Sequence, residues 1–184
     1  MSARLILILL SATIFQACQN AAAPVAISNK PVSVNDARQP NVIEQPVARL
    51  SWTGMDGSQQ QIGDLKNKVI VLDFWATYCV PCRDEIPHLN SLQAKYGKDL
   101  QVVGLNVGGR EDQPKIPAFA KQLKVSYQIA IPEQPLVSYI FGTDDSIPKT
   151  AVFDRQGRHV LTITGFDTEI QSELDRAVDA AIRQ

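Results

Sequence analysis

Residues 69–75 read VIVLDFW, and six of the seven are large and apolar. A β-branched run without polar alternation predicts a central strand covered on both faces. Two features constrain the fold further. Asp73 puts an ionisable group where burial disfavours charge, and Cys79 and Cys82 follow, separated only by Val80 and Pro81. After Cys79 the spacing turns helical, with Ile86, Leu89, Leu92 and Tyr96 on one face and Gly97 placed as a C-cap. The cysteines therefore stand where a buried strand hands over to a helix, and Pro87 falls inside that helix, where it predicts a kink.

The remaining pattern alternates between the two periods. ARLSW and QQQI flank the turn-rich GMDGS and predict a hairpin, LQVVGLNV a second buried strand, IPAFAKQL a helix, YQIAI a third strand and PLVSYIFG a short helix. TAVFD and HVLTIT predict a second hairpin across RQGR. TEIQSELDRAVDAAI predicts a last helix, with Thr168 and Gln171 as its capping box. The expected fold class is α/β: a central mixed β-sheet flanked by helices on both faces, with an N-terminal β-hairpin extension.

Several chemistries use a CxxC pair. Zinc needs four ligands, and His88 and His159 are the only histidines, with no second paired motif, so no metal is expected. Covalent haem attachment would need His after the second cysteine, where Arg83 stands. A purely structural disulfide closing so short a loop constrains the unfolded chain little. Redox exchange accounts for more of the residues. A thiol at a helix N-terminus meets unpaired N–H groups and the positive dipole end, which favour the thiolate. Cys79 has that place, Pro81 fits the first turn because the N–H it lacks has no partner there, and Cys82 lies one turn in as the resolving thiol.

DFWATYCVPC resembles the thioredoxin signature, and LKNKVIVLDFW with CVPCRDEIP is similar to the TlpA/ResA-like branch of extracytoplasmic, membrane-tethered thiol-disulfide oxidoreductases. The likeness spans roughly residues 50–184 and includes SIPKT, where Pro148 matches the family's cis-proline facing the disulfide. It implies a thioredoxin-like fold and an enzyme that reduces protein disulfides without a cofactor, apocytochrome c awaiting haem among its clients. Asp73 matches the buried acid of thioredoxins and Glu85 the acid of the TlpA/ResA-like pattern; either can take the proton of the resolving Cys82, and a solvated first-turn acid is the plainer reading of Glu85. Trp75, Tyr78, Pro81, Ile147 and Pro148 are the expected client-contacting residues, with Tyr78 standing where the family has a second Trp. His88 is expected on the helix surface and NVGGRED, residues 106–112, as a solvated loop. The rival reading is a non-catalytic module that offers a groove beside Pro148 to unfolded chains.

The first 46 residues are different material. One Arg4 precedes an apolar run from Leu5 to Phe15, in the order of a secretory signal and too short for a comfortable span. The segment 1–18 resembles a bacterial lipoprotein signal ending at Cys18, which would be acylated; Gln19 after it favours the outer over the inner membrane. Residues 19–46, with prolines at 24, 31, 40 and 46, predict a flexible tether, leaving 47–184 as the domain. The partners expected are disulfide-containing proteins, a membrane or extracytoplasmic thiol donor, and the membrane through the anchor, at the periplasmic side of the cell envelope. A formal net charge of -1 gives no bulk attraction to nucleic acid.

Overall fold

A computed structural model describes residues 47–184; the signal 1–18 with Cys18 and the tether 19–46 lie outside the described residues. The described elements are β1 (Ser51–Gly54), β2 (Gln59–Gln61), β3 (Val69–Trp75), α1 (Val80–Tyr96), β4 (Leu100–Asn106), α2 (Ile116–Leu123), β5 (Gln128–Pro132), α3 (Gln134–Phe141), β6 (Lys149–Phe153), β7 (His159–Thr164) and α4 (Thr168–Ile182). The strands form one sheet in the order β2-β1-β5-β4-β3-β6-β7. β3, β4 and β5 run parallel, while β6 and β7 on one side and β1 and β2 on the other are antiparallel.

The apolar run of β3 is central, as its composition demands, and all seven residues are buried. Alternation sends Ile70, Leu72 and Phe74 to one face, where they meet Leu136 and Ile140 of α3 together with Trp52 and Ile62. Val69 and Val71 face the other side, against Leu89 and Leu92 of α1 and Leu174 and Val178 of α4. Each such side chain taken fully out of water contributes about 1.5–3 kcal/mol. Asp73 shares the face of Val71 and Trp75, so strand parity alone directs its carboxyl toward the helix that carries the cysteines.

Helix α4 begins one residue earlier than its sequence suggests. Asp167, not Thr168, is the N-cap: its carboxylate accepts the N–H groups of Glu169 and Ile170 at 2.9 and 2.8 Å, and a carboxylate satisfies orphan N–H groups better than a hydroxyl does. Gly97 does cap α1, at φ 54° with its N–H on the Gln93 carbonyl. His88 is largely covered, with Nε2 2.9 Å from Asp175 Oδ1 but off hydrogen-bond geometry. The expectation of a surface residue fails because α4 packs beside that turn of α1.

Gly104 sits opposite Asp73 in the β3–β4 register. A Cβ there would lie 2.9 Å from both Trp75 Nε1 and Tyr127 Cε2, so the absent side chain is what lets the indole and the phenol close over the strand. Gly104→Ala should cost about 1–3 kcal/mol by overpacking, read as a lowered urea midpoint together with a shift in the emission of buried Trp75. An alanine variant as stable as the parent would refute the close packing.

Candidate functional site

Cys79 is the N-cap of α1, in extended conformation, and its Sγ accepts the N–H of Cys82 at 3.2 Å. The two cysteines form a disulfide with Cα atoms 5.4 Å apart. Cys79 keeps 6 % of its surface in solvent and Cys82 1 %, the asymmetry expected of an attacking and a resolving thiol. Pro81 occupies the first helical turn, exposed, with Val80 beside it. Pro87 stands within α1, where the i−4 carbonyl of Arg83 has no N–H to receive.

Around the disulfide the other expected residues divide by depth. The Ile147–Pro148 peptide bond is cis, Pro148 is buried, and half-buried Ile147 packs against the cluster holding both cysteines. Tyr78 is 66 % exposed, and with Val107, Val137, Phe141, Asp145, Ser146 and Ile147 it lines a groove of about 470 Å³. Trp75 is not a surface contact. Its ring is buried and stacks on Phe119 at 4.8 Å between centroids, because β3 ends beneath α2 and not at the rim; it supports the thiols from below. The Arg83 guanidinium covers the same Phe119 ring at 5.5 Å.

Two buried carboxyls stand on the elements that meet at the cysteines, Asp73 on β3 and Glu85 three residues after Cys82 on α1. Asp73 is 1 % exposed and Glu85 0 %, so the solvated, first-turn reading of Glu85 does not hold. Glu85 is in the second turn of α1 on the inward side, next to Ile86. Thr150 of β6 donates its hydroxyl to Glu85 Oε1 at 2.6 Å, and Tyr127 donates to Asp73 Oδ2 at 3.5 Å. Burial disfavours the charged form of each acid. It pushes Asp73 well above its usual value, helped by the nearby charge of Glu85 and opposed by the Tyr127 bond. Burial likewise raises Glu85 to about 7, with the Thr150 bond opposing. Tyr127, raised by burial and by both acids, stays a donor.

Two further groups carry no signal of their own in the sequence. The 107–112 loop is not simply solvated, because Asp112 is buried and accepts the Thr77 N–H at 2.9 Å, the Thr77 hydroxyl and the Asn106 amide at 2.8 Å. Burial alone would raise its acid, but these bonds, with Lys115 at 3.8 Å, hold it below the usual value. The loop is thereby tied to the turn that presents Cys79. Lys149, next to Pro148, is buried too; its ammonium bonds Asp144 at 2.7 Å and Thr164 at 3.1 Å and lies over Phe141. A hydrophobic period can reveal neither, since both are polar residues whose partners are remote or lie around a turn.

The raised acids make stability depend on pH. A carboxyl with a raised folded value binds its proton more tightly in the folded state, so its stabilisation is whole below the unfolded value and is lost as pH rises through the folded one. For Glu85 that window runs from its unfolded value, about 4.3, to about 7. Glu85→Gln should flatten the loss in this window by roughly 3 kcal/mol, the remainder belonging to Asp73. Urea melts from pH 4 to 8 measure it, and parallel curves for parent and variant would contradict a buried Glu85.

The redoxin family pattern matches residues 34–178. Thioredoxin-like protein YneN of Bacillus subtilis is 30% identical over 153 residues, which cover 80% of this chain and 85% of the relative. Thiol-disulfide oxidoreductase ResA of Bacillus cereus is 30% identical over 122 residues, covering 66% and 69%. Among solved structures, one assigned as the thiol:disulfide interchange protein DsbE of Chlorobium tepidum superposes with a TM-score of 0.64 at 28% identity, over 74% of this chain and 94% of that one. The cysteine pair at the head of α1, the cis-proline and the acid behind them are thus found in a chain that belongs to the redoxin family, as a thioredoxin-like thiol-disulfide oxidoreductase of the TlpA/ResA type.

Proposed function

We propose that the protein reduces disulfides of other proteins outside the cytoplasm, held to the membrane by an acylated Cys18 at the end of the 1–18 signal, with 19–46 as the tether to the domain at 47–184. The observation that carries the reading is the pair itself: a disulfide whose Cys79 caps a helix N-terminus and keeps 6 % of its surface in solvent, while Cys82, 1 % exposed, precedes the buried Glu85 by three residues. In the reduced protein, Cys79 as thiolate attacks a client disulfide. One client sulfur leaves as thiolate, and a mixed disulfide with Cys79 forms. Cys82 then gives its proton to Glu85 and attacks Cys79 Sγ, which closes the protein disulfide and releases the second client thiolate, to be protonated by solvent. Two electrons pass to the client, and a thiol donor at the membrane restores the dithiol.

The reductive direction and the client class follow the TlpA/ResA-like likeness, with apocytochrome c before haem attachment as the proposed client. Tyr78, Pro81, Ile147 and Pro148 are the proposed lining of its approach; exposed Tyr78 and Pro81 flank Cys79 in the chain, and Ile147 packs against the cluster that holds both cysteines. Attachment is assigned to Cys18 on the likeness of residues 1–18 to a lipoprotein signal. The outer membrane is favoured, because Gln19 follows the cysteine.

Full-length protein should reduce insulin and a cyclised C-x-x-C-H peptide using dithiol equivalents. Cys79→Ser should abolish turnover, whereas Cys82→Ser should accumulate mixed disulfides visible on diagonal gels. Equal trapping by both variants would reverse or remove the assigned roles. Cys18→Ala should lose metabolic acyl labelling and keep thiol exchange intact. A wild-type chain that takes no acyl label would exclude the anchor.

A further inference from the structure

Asp73 Oδ1 and Glu85 Oε2 are both buried, and neither has a hydrogen-bond partner among the described residues. An unpaired buried carboxyl oxygen is costly, and two side by side more so. Their proximity follows from the sheet. Thr150 is the β6 residue opposite Asp73, on the same face, where side chains of such a pair start roughly 5 Å apart. The hydroxyl of that same Thr150 holds Glu85 Oε1. Glu85 is therefore drawn over the immediate neighbour of Asp73. The four carboxyl oxygens receive two donors, Tyr127 and Thr150, one on each acid. Both remaining oxygens lack a donor, and one proton placed between the two acids would serve both.

We propose that once Glu85 ionises, the two carboxyls hold one proton between them, carried on Asp73 Oδ1 and donated to Glu85 Oε2, so that Asp73 is a positioning residue that keeps Glu85 an accessible base for the Cys82 proton. One proton removes the like-charge conflict and satisfies both orphan atoms at once. The charge stays on Glu85 because its bond is the shorter: 2.6 Å from Thr150, against 3.5 Å from Tyr127 to Asp73. The titratable group shown against the pair is Tyr127, and Cys82 precedes Glu85 by three residues on α1. The nearby cations are engaged elsewhere: Lys149 faces the opposite side of the sheet with Asp144, Arg83 covers Phe119, and His88 meets Asp175.

During resolution, Glu85 takes the Cys82 proton while Asp73 keeps its own. The pair then holds two protons and returns one to solvent when the client leaves. The inference rests on the reductase reading, and two measurements on detergent-solubilised full-length protein separate them. Infrared spectra of protein labelled with carbon-13 at the aspartate carboxyl should show one protonated side chain at pH 7.5, lost in Asp73→Asn. Glu85→Gln, whose amide can donate to Asp73, should move the loss of that band to lower pH. In single-turnover resolution, Asp73→Asn should keep the pH midpoint, because its amide donates as the acid did. Asp73→Leu, which cannot donate, should raise the midpoint by about one unit, leaving about tenfold less ionised Glu85 at a fixed pH below it. A merely structural role would move both Asp73 variants alike. A wild-type protein that reduces client disulfides yet shows no protonated aspartate overturns the shared proton and leaves the reductase standing. The aspartate band in a protein that reduces no disulfide overturns the reductase and leaves the pair. Should Asp73→Leu fail to fold, the infrared band alone decides.

Discussion

Strand β3 is hydrogen-bonded on both edges, parallel to β4 and antiparallel to β6, and covered on both faces. Such a strand cannot slip by one residue without turning every side chain to the wrong layer. That fixed register gives the rest its coordinates. It delivers Asp73 to the helix side, opposite Gly104 on one edge and Thr150 on the other. It ends at Trp75, so the turn 76–78 launches α1 from the end of the strand with Cys79 as its cap. The depth of Cys82 and the inward aim of Glu85 one turn later are consequences of where that helix starts.

Most of this frame was legible because it rests on periodicity. Every strand and helix expected from the alternating 2.0 and 3.6 patterns is present, and the order of parallel and antiparallel strands follows from their connections. The cysteine pair and the cis-proline were legible through resemblance. What could not be read is where a polar residue finds its partner. Glu85 looks from its neighbours like any helical acid, and only Thr150, 65 residues away, reveals it as internal. Asp112 sits in a string of glycines and charges that composition assigns to solvent, yet it closes on Thr77, 35 residues back. Asp167 lost its cap to Thr168 in the sequence reading for a simpler reason: a hydroxyl and a carboxylate in succession both satisfy the pattern, and only backbone direction chooses between them.

The site spends stability where the chemistry needs it. Two carboxyls out of water and a lysine ammonium beneath the proline loop are groups that a chain selected only for packing would replace with apolar ones. The lysine ammonium and the aspartate of the 107–112 loop are both well satisfied, so these two act as struts. The carboxyls of Asp73 and Glu85 are the exception, each with an oxygen unpaired. The under-satisfied polar groups thus lie on β3 and on the turn of α1 that follows Cys82.

Recognition is built from the opposite kind of residue. Tyr78 and Val80 are 66 % and 69 % exposed on either side of buried Cys79, and the groove beginning at Tyr78 continues along Val107, Val137 and Phe141 to Ile147. Large apolar side chains held in water at the edge of a groove contribute nothing to the fold and gain free energy only when something covers them. A second groove, of about 250 Å³, shares Val107 and Val137 with the first and runs on past Asn106, Gln113 and Gln134. Apolar near the sulfur and neutral-polar farther out, such a surface suits an extended, partly apolar chain better than a charged partner. The acids are thus closed off from any partner, while the rim around Cys79 is open to one. Tyr78 lies on the exposed side of that division, at the head of the groove.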